Sequence, residues 1–168
     1  GTLFDGTSLK REIGPEIECF EMLEVVQRSE NITDAEIDEV INTTINSWDF
    51  KKQPDMSIVR RGVAYYIALK QIISERKYVA VSLKDVDGMK KLLGFPPAMI
   101  FMLLADREGL CTIPENDCLG NVTQAIVKSL TGQIAAYLEF YEFFEEGVLA
   151  GVPDYVPAEI VDGKVTVS

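Results

Sequence analysis

Carboxylates set the chemistry this chain could do. Glu115, Asn116 and Asp117 stand together directly after Pro114, where the short apolar run 110–113 stops. Glu139 lies inside a second apolar and aromatic stretch, 134–141. Lys84 and Asp85 follow a third apolar run, 78–83. Acidic oxygens gathered at one point can hold a hard divalent cation, and a carboxylate beside an activated carbon can move a proton. Oxygen-only donors favour magnesium or manganese over zinc. One lysine among carboxylates suits a divalent cation and a polyol better than a nucleotide. The chain carries no GxGxxG, no GxxxxGK[ST] and no Gly-x-Ser-x-Gly motif. The competing reading of the same residues is a set of solvated surface acids.

Positioning these groups requires strands that end on a common rim. The stretch 110–113, a polar turn, a helix over 121–131 with Asn121 as its cap, and a strand over 134–140 have the size of a βαβ unit. Such a crossover makes its strands parallel, with neighbours about 4.8 Å apart, so Glu115 and Glu139 would converge at their carboxyl ends. In open α/β sheets that rim is where ligands bind. Elsewhere the alternation of 16–21 and the β-branched run 78–83 predict two more strands. Capping signals and apolar spacing predict helices over 34–47, 57–76 and 97–108, with shorter helices over 7–13, 22–29 and 87–93. The expected fold is therefore α/β: an open, mostly parallel sheet of about four strands with helices on both faces, Rossmann- or flavodoxin-like. Residues 1–152 read as one α/β domain. Residues 153–168 read as a linker and the start of a β-rich module, because Gly and Pro gather in 147–157 and Asp162-Gly163 suits a tight hairpin turn.

Composition bounds the partners. The chain has 168 residues, 16 basic and 27 acidic, with a net charge of −11. That opposes non-specific nucleic-acid binding and attachment to anionic membranes. No apolar run reaches the length of a membrane span and no signal-peptide pattern is present, so a cytoplasmic protein is expected. The three cysteines, Cys19, Cys111 and Cys118, lack CxxC spacing and read as reduced. There is no histidine, so chemistry that needs one must borrow it. The abrupt start and end suggest a piece of a longer protein.

Pro114-Glu-Asn-Asp-Cys-Leu-Gly120, then Leu130-Thr-Gly132 and an acid seven residues on, resembles the middle domain of the L-fucose isomerase family, which is related to L-arabinose isomerase. Ile13-Gly-Pro-Glu-Ile-Glu-Cys-Phe-Glu21 and Val81-Ser-Leu-Lys84 share the resemblance as patterns. It implies that Glu115 and Glu139 ligate a divalent cation, usually Mn2+, with Mg2+ or Co2+ as substitutes. The fucose enzymes have aspartate at the second place, whereas the arabinose isomerases use two glutamates. The family's third ligand is a histidine from the following domain.

The implied reaction is that of an intramolecular oxidoreductase, a ketol isomerase acting on a monosaccharide through an ene-diol. One of the two glutamates would double as the base. Asn116 and Asp117 would orient the first ligand or contact substrate, and Lys84 and Asp85 are further substrate-contact candidates. The full-length protein would be a homo-oligomer, and this chain alone would be inactive. The alternative is a non-catalytic α/β domain that binds a sugar or a sugar phosphate.

Overall fold

The computed structural model describes residues 4–151 and 156–167. Helices lead: α1 (Gly6–Glu12), α2 (Met22–Ser29), α3 (Asp34–Thr43), α4 (Met56–Arg76), α5 (Ala98–Glu108) and α6 (Cys118–Thr131). The strands are short: β1 (Asp49–Phe50), β2 (Ala80–Ser82), β3 (Cys111–Ile113), β4 (Glu139–Phe144), β5 (Gly147–Gly151) and β6 (Thr166–Val167). A π-helical turn spans Asp85–Leu92. The fold is α/β, with short parallel sheets surrounded by helices.

The core forms around α4. Val63, Ala68 and Ile72 are fully buried, as are Ile100, Phe101, Leu103 and Leu104 of α5. The two helices approach closely because residue 62 is glycine. A Cβ there would collide with Met99 Cε and lie 2.5 Å from Phe95 Cζ. Local signals explain the helix starts. Thr33 and Glu36 close a capping box on α3, and Asp55 accepts the Ser57 N–H at 2.8 Å to begin α4. Asp5, rather than Thr7 or Ser8, caps α1. Gly109 ends α5 in the left-handed conformation, which lets the chain turn directly into β3.

β2 and β3 pair in parallel, in the register Ala80↔Cys111, Val81↔Thr112 and Ser82↔Ile113. Every residue of β3 is buried, as a doubly covered strand requires. The two strands therefore end side by side, so the Lys84–Asp85 and Glu115–Asp117 loops share a rim; the expected neighbour of β3 was instead 134–140.

Three expectations need correction. Residues 16–21 form no strand and join no ladder. Side chains anchor them instead: Phe20 stacks on Tyr78 at 6.1 Å and Glu18 meets Arg76 at 3.4 Å. Residues 134–138 are likewise not a strand. Only Ile134 among them is fully buried, the two alanines are poor strand formers, and Gln124 Nε2 holds the Ala135 carbonyl at 2.7 Å. Glu139 instead opens β4, which pairs antiparallel with β5 as a hairpin, so part of the expected linker 147–157 is strand. The third correction concerns Asp162-Gly163. It does not close a hairpin; β6 runs parallel to β1, with Asp49 N–H donating to the Val165 carbonyl at 2.8 Å. The division expected at 152/153 falls outside the described residues. Cys19, Cys111 and Cys118 are free.

Candidate functional site at the carboxyl ends of β2 and β3

The rim is built by two crossing loops. After β3, Pro114 is buried, and Glu115 and Asn116 then both adopt the left-handed conformation, with φ of 61° and 58°. Two successive non-glycine residues in that region bend the chain sharply and persist only when the surroundings hold them. The holding groups come from the loop after β2. Asp85 Oδ1 accepts the Glu115 N–H at 3.0 Å, and the Leu83 carbonyl accepts the Asn116 N–H at 3.0 Å. Ser82 Oγ donates to the Ile113 carbonyl at 2.6 Å, which closes the two strand ends together.

α6 starts immediately beyond the turn. Its cap is Asp117, whose Oδ1 accepts the Gly120 N–H at 3.0 Å, and not Asn121. The helix begins three residues earlier than predicted because Asp117 satisfies the first amides. Glycine at 120 keeps the cap tight: a Cβ there would stand 2.6 Å from Asp117 Oδ2. Asn121 is instead buried, its Oδ1 without a hydrogen-bond partner.

The sequence-nominated residues separate by environment. Glu115 is exposed and Lys84 is exposed; Asn116 is half-buried. Lys84 and Asn116 line a groove of about 720 Å³ between β2, α6 and the segment leading into α2, within the size range of small-molecule sites. Asp85 does not face solvent. It is 1% exposed, and its Oδ2 receives no well-directed hydrogen bond but lies 3.1 Å from Lys90 Nζ. Asp117 is engaged as a cap. Glu139 is half-buried at the first position of β4.

One residue escaped sequence reading. The Tyr137 hydroxyl donates to Glu139 Oε1 at 3.3 Å. Burial pushes its pKa up to about 12, reinforced by the negative charges of Glu139, Asp117 and Glu115. A single phenol thus feels the carboxylates of both loops. Nothing in the run Ile134-Ala-Ala-Tyr-Leu signals this, since an aromatic there reads as core. Among the described residues, no three His, Cys, Asp or Glu side chains gather where they could hold a metal ion. The acids that act on Tyr137 are Glu139, Asp117 and Glu115, and carboxylate oxygens are the donors that hard divalent cations take. Glu115 and Glu139 have the donor chemistry for such an ion, but no third ligand gathers with them among the described residues.

A family model described as the L-arabinose isomerase central domain matches residues 3–106. The chain belongs to that family. The match takes in β2 and the Lys84–Asp85 loop and stops short of Glu115 and Glu139. It establishes kinship with a sugar isomerase at the level of the arabinose enzyme. No curated protein matches the chain. Among the described residues, no helix is long and apolar enough to cross a membrane.

Proposed function

We propose that this chain is the metal- and substrate-binding domain of an aldose–ketose isomerase, with Glu115 and Glu139 as its ligands for a divalent cation, Mn2+ foremost and Mg2+ or Co2+ as substitutes. The observation that carries the reading is the Tyr137 phenol, which bonds Glu139 and senses Asp117 and Glu115. Family membership supports the sugar-isomerase class. The Glu-Asn-Asp motif and the acid after Leu-Thr-Gly favour the fucose type for the motif and the arabinose type for the second glutamate. The substrate is a monosaccharide and the full-length protein a homo-oligomer.

The cation, when bound, supplies a Lewis acid for two adjacent sugar oxygens. The chain's own residues do the rest. Glu115 or Glu139 takes a proton from one carbon and returns it to the next. Tyr137, which keeps its proton across the physiological range, donates to Glu139 and fixes the direction of that carboxylate. Asn116 and Lys84, lining the groove beside the rim, supply polar contacts for sugar hydroxyls.

The test uses the full-length protein. Glu115→Gln and Glu139→Gln should each abolish Mn2+-dependent turnover with the fold intact. The double variant should be little worse than either single one, because residues that act as a unit are not additive. Near-wild-type rate in either single variant defeats the assignment. Mn2+ binding without turnover of any pentose or deoxyhexose would favour a non-catalytic sugar-binding role.

A further inference from the structure

We propose that Asp85 is the positioning residue for Glu115 and that the π-helical turn exists to hold Asp85 there. The inference rests on Glu115 being a metal ligand. The argument starts from the backbone at 115–116. Glu115 in the left-handed region is unfavourable for a residue with a long side chain, less so for Asn116 beside it, so the turn after Pro114 relies on its surroundings. The Asp85 carboxylate, 1% exposed, accepts the Glu115 N–H at 3.0 Å. A charged acceptor on that one amide fixes the peptide plane and with it the direction in which the Glu115 side chain leaves the strand end.

A buried carboxylate needs a counter-charge. It comes from Lys90, 3.1 Å from Oδ2. Lys90 lies five positions after Asp85, and in an α-helix residues so spaced point to different sides. The segment Asp85–Leu92 is wound as a π-helix, with Met89 N–H donating to the Lys84 carbonyl at 3.2 Å. That winding brings residues five apart onto one side. The lysine side chain is 37% exposed whereas that of Asp85 is 1% exposed, so one partner of the pair stays in reach of water. The chain Lys90–Asp85–Glu115 thus runs from solvent, through a buried acid, to the rim.

The experiment measures Mn2+ affinity and steady-state kinetics in the full-length protein. Asp85→Ala should weaken Mn2+ binding by about 10- to 100-fold, the usual cost of removing an outer partner of a ligand. Saturating Mn2+ should restore much of kcat while KM for Mn2+ stays high. Asp85→Asn keeps an acceptor for the Glu115 N–H and should bind within about fivefold of wild type, a weaker neutral bond in place of a charged one. Ile72→Ala, destabilised in the buried core on α4, controls for stability and should bind Mn2+ as wild type does. Wild-type affinity in Asp85→Ala, or equal loss in Ile72→Ala, overturns the proposal. Should Asp85→Ala fail to fold, a crystal structure of the wild-type protein with Mn2+ decides: the Glu115 N–H must remain bonded to Asp85, and a broken bond overturns the role. Unchanged Mn2+ affinity in Glu115→Gln is a different result, because it removes the metal reading itself whatever Asp85 does.

Discussion

At the scale of single residues, Tyr137 has the most informative environment on the rim. Its proton is held by burial and by three nearby carboxylates, with Glu139 the strongest. A raised folded-state pKa means that the folded protein keeps a proton the unfolded chain releases near 10. The resulting stabilisation is complete below about 10 and is lost as pH rises through about 12. Ultraviolet titration of phenolate should show one tyrosine ionising near 12 that disappears in Tyr137→Phe. Glu139→Gln should shift that ionisation downward, since it removes the leading charge. An unshifted Tyr137 in Glu139→Gln would mean that Glu139 does not contribute to its value. The position of Glu-Asn-Asp directly after a buried apolar run was legible from sequence, as a strand end followed by a helix start. The division of labour among the acids was not. Asp85 and Asp117 are ordinary loop acids by composition, and only the backbone geometry at 115–116 separates a buried acceptor and a helix cap from an exposed candidate ligand.

At the scale of elements, helices were readable and strand pairings only partly so. Helix signals are local: the Thr33/Glu36 box, Asp55 before α4 and Gly109 after α5 each act within a few residues. Pairing is not local. The runs 78–83 and 110–113 were recognisable as buried strands, but the expected neighbour of 110–113 was 134–140, whereas β3 pairs in parallel with β2. The run 134–141 looked equally apolar, yet its first half is held by the Gln124 side chain and its second half folds back on Gly147–Gly151. No periodicity distinguishes a strand that joins a sheet from one that turns into its own hairpin. Close helix contact is a further case: Gly62 reads as a weak point in a helix but marks where α4 meets Phe95 and Met99. Gly62→Ala should therefore destabilise the protein by about 1–3 kcal/mol through overpacking, despite the better helix propensity of alanine. Chemical denaturation measures it. Stabilisation by the substitution would show that α4 and α5 separate at no cost.

At the scale of the whole molecule, the 168 residues carry much negative charge, while the proposed metal ligands are few. Net charge of −11 favours any cation nearby, but general attraction is screened by salt and does not fix a coordination geometry. Glu115 and Glu139 together would leave most of the roughly six positions of Mn2+ or Mg2+ to water. The 168-residue chain on its own should therefore bind Mn2+ weakly, in the millimolar range expected of sites with few charged ligands, and that binding should weaken further as salt rises. It should convert no pentose or deoxyhexose. Calorimetric titration at low and high salt, beside a coupled assay for ketose, reads both outcomes. Turnover by the 168 residues alone would mean that no further ligand is needed, and the base and the metal site would then have to be found entirely among Glu115, Glu139 and their neighbours. Tight binding that ignores salt would instead point to a complete ligand set within this chain, which two rim glutamates cannot supply.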